Sequence, residues 1–163
     1  MLDTATDLKS LLKDPSLLET RAYVGGSWVA AADGKTFPVL NPARGDVICD
    51  VADLSREEVA GAIAAAEAAQ KDWQKRTAKD RAQVLRRWFD LMMENQDDLG
   101  AILTAEMGKP LGEAVGEAEF SADIFTYYAD NGPTLCADRV LDDSDTSRTV
   151  IQHRPVGVLL GIM

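Results

Sequence analysis

The chain has 163 residues, of which 46% are apolar and 27% charged, a composition that suits one globular domain and excludes wholesale disorder. A compact fold of this size would bury roughly 70% of the surface that its unfolded chain exposes. Seventeen basic against 27 acidic residues give a net charge of −10, which repels phosphate backbones and anionic lipids, so we expect no nucleic-acid and no membrane partner.

Targeting signals and cysteine chemistry are not evident in the sequence. The longest apolar run, 156–163, is far shorter than the roughly 18 residues that a membrane-spanning helix needs. No basic stretch leads into an apolar segment at the N-terminus, so we expect a cytoplasmic protein. Cys49 and Cys136 have neither metal-site nor disulfide spacing, and we interpret both as structural thiols.

The first 52 residues predict an N-terminal arm followed by short strands. A leucine-rich stretch broken at Asp14-Pro15 is typical of a short helix that ends and restarts. Gly25-Gly26 joins two short strands, Asn41-Pro42 ends a third, and Gly45-Asp46 turns the chain into a fourth. We therefore expect one small antiparallel sheet over residues 21–52.

Two capping boxes mark the start of the helical part of the chain. Ser55 with Glu58, and Thr77 with Asp80, have the spacing at which the two residues exchange bonds between side chain and backbone. Apolar residues then recur at helical spacing behind each box. These patterns predict two amphipathic helices.

A third helix follows, and it has the most regular apolar pattern in the chain. The polar stretch 95–98 is expected to bend or divide the helix before it. Gly108 and Pro110 are typical of a helix end and of the start of the next helix, respectively. Apolar residues spaced three or four apart over 111–129 then predict a helix that ends at 131–133, where the sequence is Asn-Gly-Pro.

The C-terminal part predicts two kinds of strand. Residues 137–155 alternate weakly around the acidic turn 142–145, which favours an exposed hairpin. Residues 156–163 are continuously apolar, as in the central strand of a parallel sheet that is covered on both faces. Because such a strand needs neighbours that this sequence does not supply, we expect the chain to be a fragment.

No group of residues completes a catalytic site by its spacing. His153, the only histidine, has no nucleophile or carboxylate at a telling distance along the chain, and we interpret it as structural. The glycines form no phosphate-binding pattern, and the acidic pairs lack metal-ligand spacing. Composition and periodicity alone thus predict an α/β fragment with a helical layer.

The order of short motifs is more informative than any one of them. It resembles the N-terminal third of an aldehyde dehydrogenase through four segments: 23–28 (YVGGSW), 41–45 (NPARG), 106–114 (EMGKPLGEA) and 154–158 (RPVGV). Within that superfamily, 86–99 and the arm segment 14–18 are most similar to succinate-semialdehyde dehydrogenases.

The resemblance implies a fold of the α/β class. Residues 1–136 would form the N-terminal part of a Rossmann-type NAD(P)-binding domain, with small antiparallel strands and three amphipathic helices. Residues 137–155 would be the β-hairpin arm that joins subunits of the family into homo-oligomers. Residues 156–163 would be the truncated first strand of the nucleotide-binding sheet.

The reaction that the resemblance implies is the oxidation of an aldehyde, here succinate semialdehyde to succinate, with NAD or NADP. In the family a cysteine thiolate attacks the carbonyl, hydride passes to nicotinamide, and water activated by a glutamate hydrolyses the thioester. Those catalytic residues all follow the point where this sequence stops, and neither Cys49 nor Cys136 matches the nucleophile's motif. We therefore expect no catalytic residue in the chain, no activity by itself and no measurable NAD binding.

The resemblance also implies peripheral site residues. Glu117 and Phe120 match positions that line the substrate tunnel. The carbonyl of Leu40 and the carboxylate of Glu106 match a structural monovalent-cation site found in some members. Ile162 matches a position near the cofactor, at the carboxyl end of the first strand.

Two other functions are alternatives to a truncated enzyme. The first is a non-catalytic interaction or oligomerisation module of the same family, which a stop codon directly after residue 163 would favour. The second is an all-helical acidic adaptor, which the strand-like segments disfavour.

Overall fold

Much of the chain's apolar surface is uncovered in its structure. The computed structural model describes residues 8–135 and 137–162, apart from the side chains of residues 142 and 143. Cys136 and Met163 lie outside the described residues. The chain exposes 11952 Å², compared with about 7,900 Å² for a compact monomer of 17.6 kDa. It thus buries only about half of its unfolded surface, less than the roughly 70% that its size predicts.

The N-terminal arm supplies the small hydrophobic core. Helix α1 (Leu8–Leu11) is followed by a 3-10 turn (Pro15–Leu17), whose start is capped by the Asp14 carboxylate. The predicted break at this aspartate and the following proline is confirmed. Three leucines of the N-terminal arm are buried: Leu8, Leu12 and Leu18. Ile48 and three residues of helix α4 (Gln96–Met107), Ala101, Ile102 and Ala105, pack against them.

The strands predicted over residues 21–52 form two separate hairpins rather than one sheet. Strands β1 (Ala22–Val24) and β2 (Ser27–Val29) pair with each other, as do β3 (Thr36–Leu40) and β4 (Val47–Ala52). The turns were predicted correctly because their chemistry is local. The single sheet was wrong because no strand of the first hairpin pairs with a strand of the second.

Four long helices follow instead of the three expected. They are α2 (Arg56–Trp73), α3 (Ala78–Glu94), α4 (Gln96–Met107) and α5 (Leu111–Leu135). Both predicted capping boxes are present, and the chain divides at Asn95, within the polar stretch expected to bend it. Gly108 ends α4 in the left-handed conformation, with φ 72°. None of the described helices is long and apolar enough to cross a bilayer.

Helix α5 continues past its predicted end. Pro133 lies inside the helix, which runs on to Leu135. Side chains near the proline bond to carbonyls of this last turn. Asn131 Nδ2 donates to the carbonyl of Tyr127 at 2.9 Å, and Thr134 Oγ1 donates to the carbonyl of Asn131 at 2.9 Å. The helix end predicted at Asn-Gly-Pro (131–133) was therefore wrong: the helix ends about one turn later, at Leu135.

Small side chains bring α5 close to α3 and α4. Its buried residues are all alanines, Ala114, Ala122 and Ala129. On α4, a Cβ added at Gly100 would lie 2.5 Å from Cγ2 of Val115 and 3.1 Å from its Cα. We call the three buried alanines the alanine seam; it sets how closely α5 packs against α3 and α4. Most of the larger apolar residues of α5 point away from it.

The C-terminal part confirms the hairpin and corrects the strand beyond it. Strands β5 (Arg139–Asp143) and β6 (Arg148–Ile151) pair antiparallel, as predicted for the hairpin within residues 137–155. Residues 152–162 form no regular structure, and Ile162 is 90% exposed. The strand predicted for 156–163 is not formed over its described residues, because no neighbouring strand is there to pair with it.

A buried carboxylate ties the N-terminal arm to α4. Asp98, in the first turn of that helix, is 4% exposed. Its two oxygens accept the backbone N–H groups of Lys13 at 3.0 Å and Asp14 at 2.8 Å. The neighbouring Asp97 instead forms an exposed ion pair with the Lys13 ammonium at 2.7 Å.

Replacing these two neighbouring aspartates should have very different effects. We expect Asp98→Ala to lower the free energy of unfolding by about 2–4 kcal/mol, because it leaves two arm amides without their charged acceptor. Asp97→Ala, the matched control, should cost less than about 1 kcal/mol, since its ion pair is exposed. Urea unfolding followed by circular dichroism measures both, and equal losses would contradict the anchoring role.

Gly100 and Gly116 provide a second matched pair of substitutions. Gly100→Ala should destabilise the chain by about 1–3 kcal/mol despite the better helix propensity of alanine, because the new methyl group collides with Val115. Gly116→Ala on α5 has open space around its Cβ and should stabilise by about 0.5–1 kcal/mol. Thermal unfolding of both variants tests the pair, and stabilisation by Gly100→Ala would disprove the close helix crossing.

Candidate functional site

The two residues expected to line a substrate tunnel lie on one stretch of α5. Glu117 and Phe120 are three residues apart, so their side chains share a helix face. Glu117 forms a hydrogen-bonded ion pair with Lys109, which lies in the turn between α4 and α5. Phe120 is 67% exposed. The sequence thus places an apolar ring beside a carboxylate whose charge is neutralised.

The same helix presents further exposed apolar side chains. Beyond Phe120 come Ile124, Tyr127 and Tyr128, each about half exposed. The two tyrosine rings meet edge to face, with centroids 5.3 Å apart. We call Phe120, Ile124, Tyr127 and Tyr128 the outer face of α5. It could contact the apolar part of a small ligand, whereas it carries no group that could act as a nucleophile at neutral pH.

The residues expected at a cation site lie near the second hairpin. Leu40 ends β3 opposite Val47, next to a shift in the pairing register. Glu106 lies near the end of α4, and its charge acts on the Cys49 thiol of β4, which places its carboxylate beside this hairpin. Carbonyl and carboxylate oxygens suit a hard monovalent cation. The described residues include no group of three or more metal-ligating His, Cys, Asp or Glu side chains, so further carbonyls or water would complete the shell.

Cys49 has the surroundings of a structural thiol. Burial, followed by the negative charges of Glu106 and Asp50, raises the pKa of its thiol above the usual value. A raised pKa keeps the sulfur protonated and weakly nucleophilic at neutral pH. Cys49 is therefore not an activated nucleophile, as its sequence context predicts.

Ile162 and His153 lie in the C-terminal tail, which makes no regular structure. The tail leaves Ile162 in solvent rather than at the edge of a sheet. No parallel sheet exists in residues 8–135 and 137–162, so the strand end that would meet a cofactor is not assembled there. Ile162 as a cofactor contact remains a prediction.

Two cavities were not predicted from the sequence, and none of the five expected site residues lines either. One, of about 740 Å³, lies between the N-terminal arm, the second hairpin and α4. Thr104 lines this cavity, and its buried Oγ1 has no hydrogen-bond partner among the described residues. The other is a groove of about 1000 Å³ between the first hairpin and α3, walled by Tyr23, Trp28 and Trp88. Aromatic side chains on a short hairpin were the signal that could have revealed this second cavity.

The chain matches known proteins over most of its length. The sequence profile described as Aldehyde dehydrogenase family matches residues 28–163. The chain is 42% identical over 151 residues to 3-sulfolactaldehyde dehydrogenase of Pseudomonas putida, and 38% identical over 151 residues to succinate-semialdehyde dehydrogenase [NADP(+)] of Escherichia coli. Each match covers 93% of this chain and 31% of the relative, so the chain spans about a third of their length.

A solved structure agrees with these matches. The fold is similar to the crystal structure of succinate-semialdehyde dehydrogenase from Burkholderia pseudomallei, with a TM-score of 0.78 and 46% sequence identity. That match covers 85% of this chain and 29% of the other.

Proposed function

Because the chain belongs to the aldehyde dehydrogenase family, we propose that it is the N-terminal part of an NAD(P)-dependent enzyme that oxidises a short aldehyde with an anionic group at its other end, with succinate semialdehyde as the first candidate. The nucleophilic thiolate and the general base would come from the remaining two thirds of the length of its relatives. The role of this chain is to build one wall of the substrate path and part of the cofactor domain.

The choice of substrate rests first on the relatives. The names of the Pseudomonas putida and Escherichia coli proteins specify 3-sulfolactaldehyde and succinate semialdehyde as substrates. Both compounds are small aldehydes with an anionic group at the other end. We infer the same substrate class here, and we expect the basic or hydroxyl groups that bind the distal anion to lie outside this chain.

The outer face of α5 is the observation that carries the proposal. The exposed ring of Phe120 offers an apolar contact for the carbon chain of the aldehyde, and Lys109 neutralises the carboxylate of Glu117 beside it. An unpaired carboxylate at this place would repel an anionic substrate, whereas a neutral ion pair does not. The wall is therefore suited to an aldehyde that carries negative charge.

The remaining segments fit the same enzyme. Residues 1–136 would belong to the cofactor domain, and residues 137–155 would form the arm that joins subunits. The segment 156–163, which is exposed over its described residues 156–162, would become the first strand of the nucleotide-binding sheet once neighbouring strands are present. NAD or NADP would then bind at the carboxyl end of that strand, close to Ile162, and accept hydride from the substrate.

Substitutions at the ion pair test the proposed wall. In the complete polypeptide, we expect Lys109→Met to raise the KM for succinate semialdehyde about tenfold, because Glu117 is left as an unpaired negative charge. The same variant should change the KM for uncharged butanal less than twofold. Phe120→Ala should raise the KM for both aldehydes about tenfold, through lost apolar contact. The absorbance of NADH or NADPH follows each reaction.

Two controls accompany these kinetics. The 163-residue chain by itself should reduce neither cofactor, as it lacks the nucleophile. Lys79→Met, on the exposed start of α3, should behave like the wild type. If the complete wild-type polypeptide oxidises no anionic aldehyde, the proposed function is wrong. If Lys109→Met affects both aldehydes equally, only the role of the ion pair is wrong.

We also propose that the Leu40 carbonyl and the Glu106 carboxylate hold a structural monovalent cation. Sodium or potassium chloride should raise the thermal midpoint of the chain by about 2–4 °C over choline chloride at equal ionic strength, which corresponds to about 1 kcal/mol of binding. Glu106→Gln should abolish the rise, and Glu113→Gln, at an exposed position on α5, should preserve it. Identical midpoints for the wild type in all three salts would exclude the site.

A further inference from the structure

The turn between α4 and α5, residues 108–110, packs closely against the loop that joins β3 and β4. Gly108 has a left-handed conformation with φ 72°, and its N–H donates to the carbonyl of Thr104 at 2.9 Å. A Cβ built on Gly108 would lie 3.1 Å from Cγ of Pro42, which is closer than most Cβ contacts in proteins. Glycine therefore suits this position for two reasons, its backbone angle and its missing side chain.

The loop that the glycine contacts, residues 41–46, is held by its own hydrogen bonds. Asn41 is 8% exposed, and its Oδ1 accepts the backbone N–H of Ala43 at 2.9 Å. The backbone N–H of Asn41 donates to the carbonyl of Asp46 at 2.9 Å. Arg44 donates to both carboxylate oxygens of Asp46, at 2.8 and 2.9 Å. The proline of this loop is thus a fixed surface, so an added side chain would displace the α4–α5 turn instead.

The next residue of the turn, Lys109, neutralises Glu117 on α5. The Lys109 side chain is 27% exposed and the Glu117 side chain 41%, so water screens their ion pair only in part. Lys109 lies between Gly108 and a proline that precedes α5, and this proline restricts the backbone. The direction in which the lysine side chain leaves the turn is therefore set by how the turn packs on the loop.

We propose that Gly108 is a positioning residue: its close packing on the loop of residues 41–46 directs Lys109 towards Glu117 and so keeps the wall of the substrate path neutral. This inference rests on the proposed function and adds a specificity-determining position to it. Gly108 acts through Lys109 rather than on the substrate itself. Displacing the turn should weaken the binding of anionic aldehydes selectively, because only they are repelled by an unpaired carboxylate.

Kinetics of the complete polypeptide test the positioning role. Gly108→Ala should raise the KM for succinate semialdehyde about tenfold with kcat unchanged, because Glu117 loses its partner. The KM for butanal should change less than about twofold. Since Lys109→Met already removes the ion pair, adding Gly108→Ala to it should raise the KM no further. A further rise of about tenfold in the double variant would show that Gly108 acts independently of Lys109, and it would overturn the proposal.

Two matched substitutions separate the contact with Pro42 from backbone strain. Gly34 has the same φ of 72° but open space around a Cβ, so Gly34→Ala imposes a similar strain and should leave both KM values unchanged. Pro42→Ala removes Cγ and leaves Cβ, which is 3.9 Å from the Cβ built on Gly108. Combining it with Gly108→Ala should return the KM for succinate semialdehyde to within about threefold of the wild type. Absence of this recovery would assign the defect to strain and overturn the proposal.

A measurement that needs no activity keeps this inference apart from the proposed function. The thermal-midpoint shifts caused by Lys109→Met and Glu117→Gln should not add in the wild-type background, because both variants remove one ion pair. In the Gly108→Ala background they should add. Non-additivity that persists there, or an active enzyme whose KM for the anionic aldehyde ignores Gly108→Ala, would overturn the positioning role alone.

Failure of the proposed function gives a different result. A complete wild type that oxidises no anionic aldehyde would overturn the proposed function, and the thermal midpoints would then decide by themselves whether Gly108 positions Lys109. Circular dichroism establishes that each variant is folded before its kinetics or its midpoint is compared.

Discussion

The structure depends on how closely α5 can approach α3 and α4. That approach is possible because the buried residues of α5 are alanines and because α4 has a glycine, Gly100, opposite Val115 of α5. The two helices are so close at this point that a methyl group added at Gly100 would collide with both the side chain and the backbone of Val115. The seam therefore fixes where the outer face of α5 and the groove between the first hairpin and α3 lie, because Trp88 of α3 stacks on Phe125 of α5.

Close packing with small residues has a second effect, which concerns the surface. Because alanines occupy the most buried positions of α5, four of its large apolar residues, Phe120, Ile124, Tyr127 and Tyr128, are left on the outside. Apolar side chains are also exposed on α2, at Val59 and Ile63, and in the tail after β6. Exposed apolar surfaces on α5, on α2 and in the tail are typical of a layer that other parts of a protein cover. This agrees with the chain spanning about a third of the length of its relatives.

The features that were predicted correctly are those that depend only on residues close together in the sequence. The capping boxes at Ser55 and Thr77 formed as expected because each needs only four consecutive residues. The strand predicted at 156–163 is not formed over residues 156–162, because a parallel strand is stabilised by neighbouring strands that are missing here. Asp98 was missed for the same kind of reason: its amide donors come from a segment about 85 residues earlier. The expected site residues came from resemblance to a family, because neither Glu117 nor Leu40 has a spacing that by itself indicates chemistry.

Glu58 joins two parts of the fold through one carboxylate. It closes the capping box at Ser55 and accepts the backbone N–H of Ala32 at 2.7 Å, beyond the first hairpin. Hydrogen bonds from the backbone of Ser55, then of Ala32, lower the pKa of Glu58. A depressed pKa means that this stabilisation is complete above the pKa of the unfolded chain and is lost as pH falls through the lower, folded value. Protonation of this one carboxylate would therefore loosen both the start of α2 and the loop that follows the first hairpin, while the alanine seam contains no titratable group.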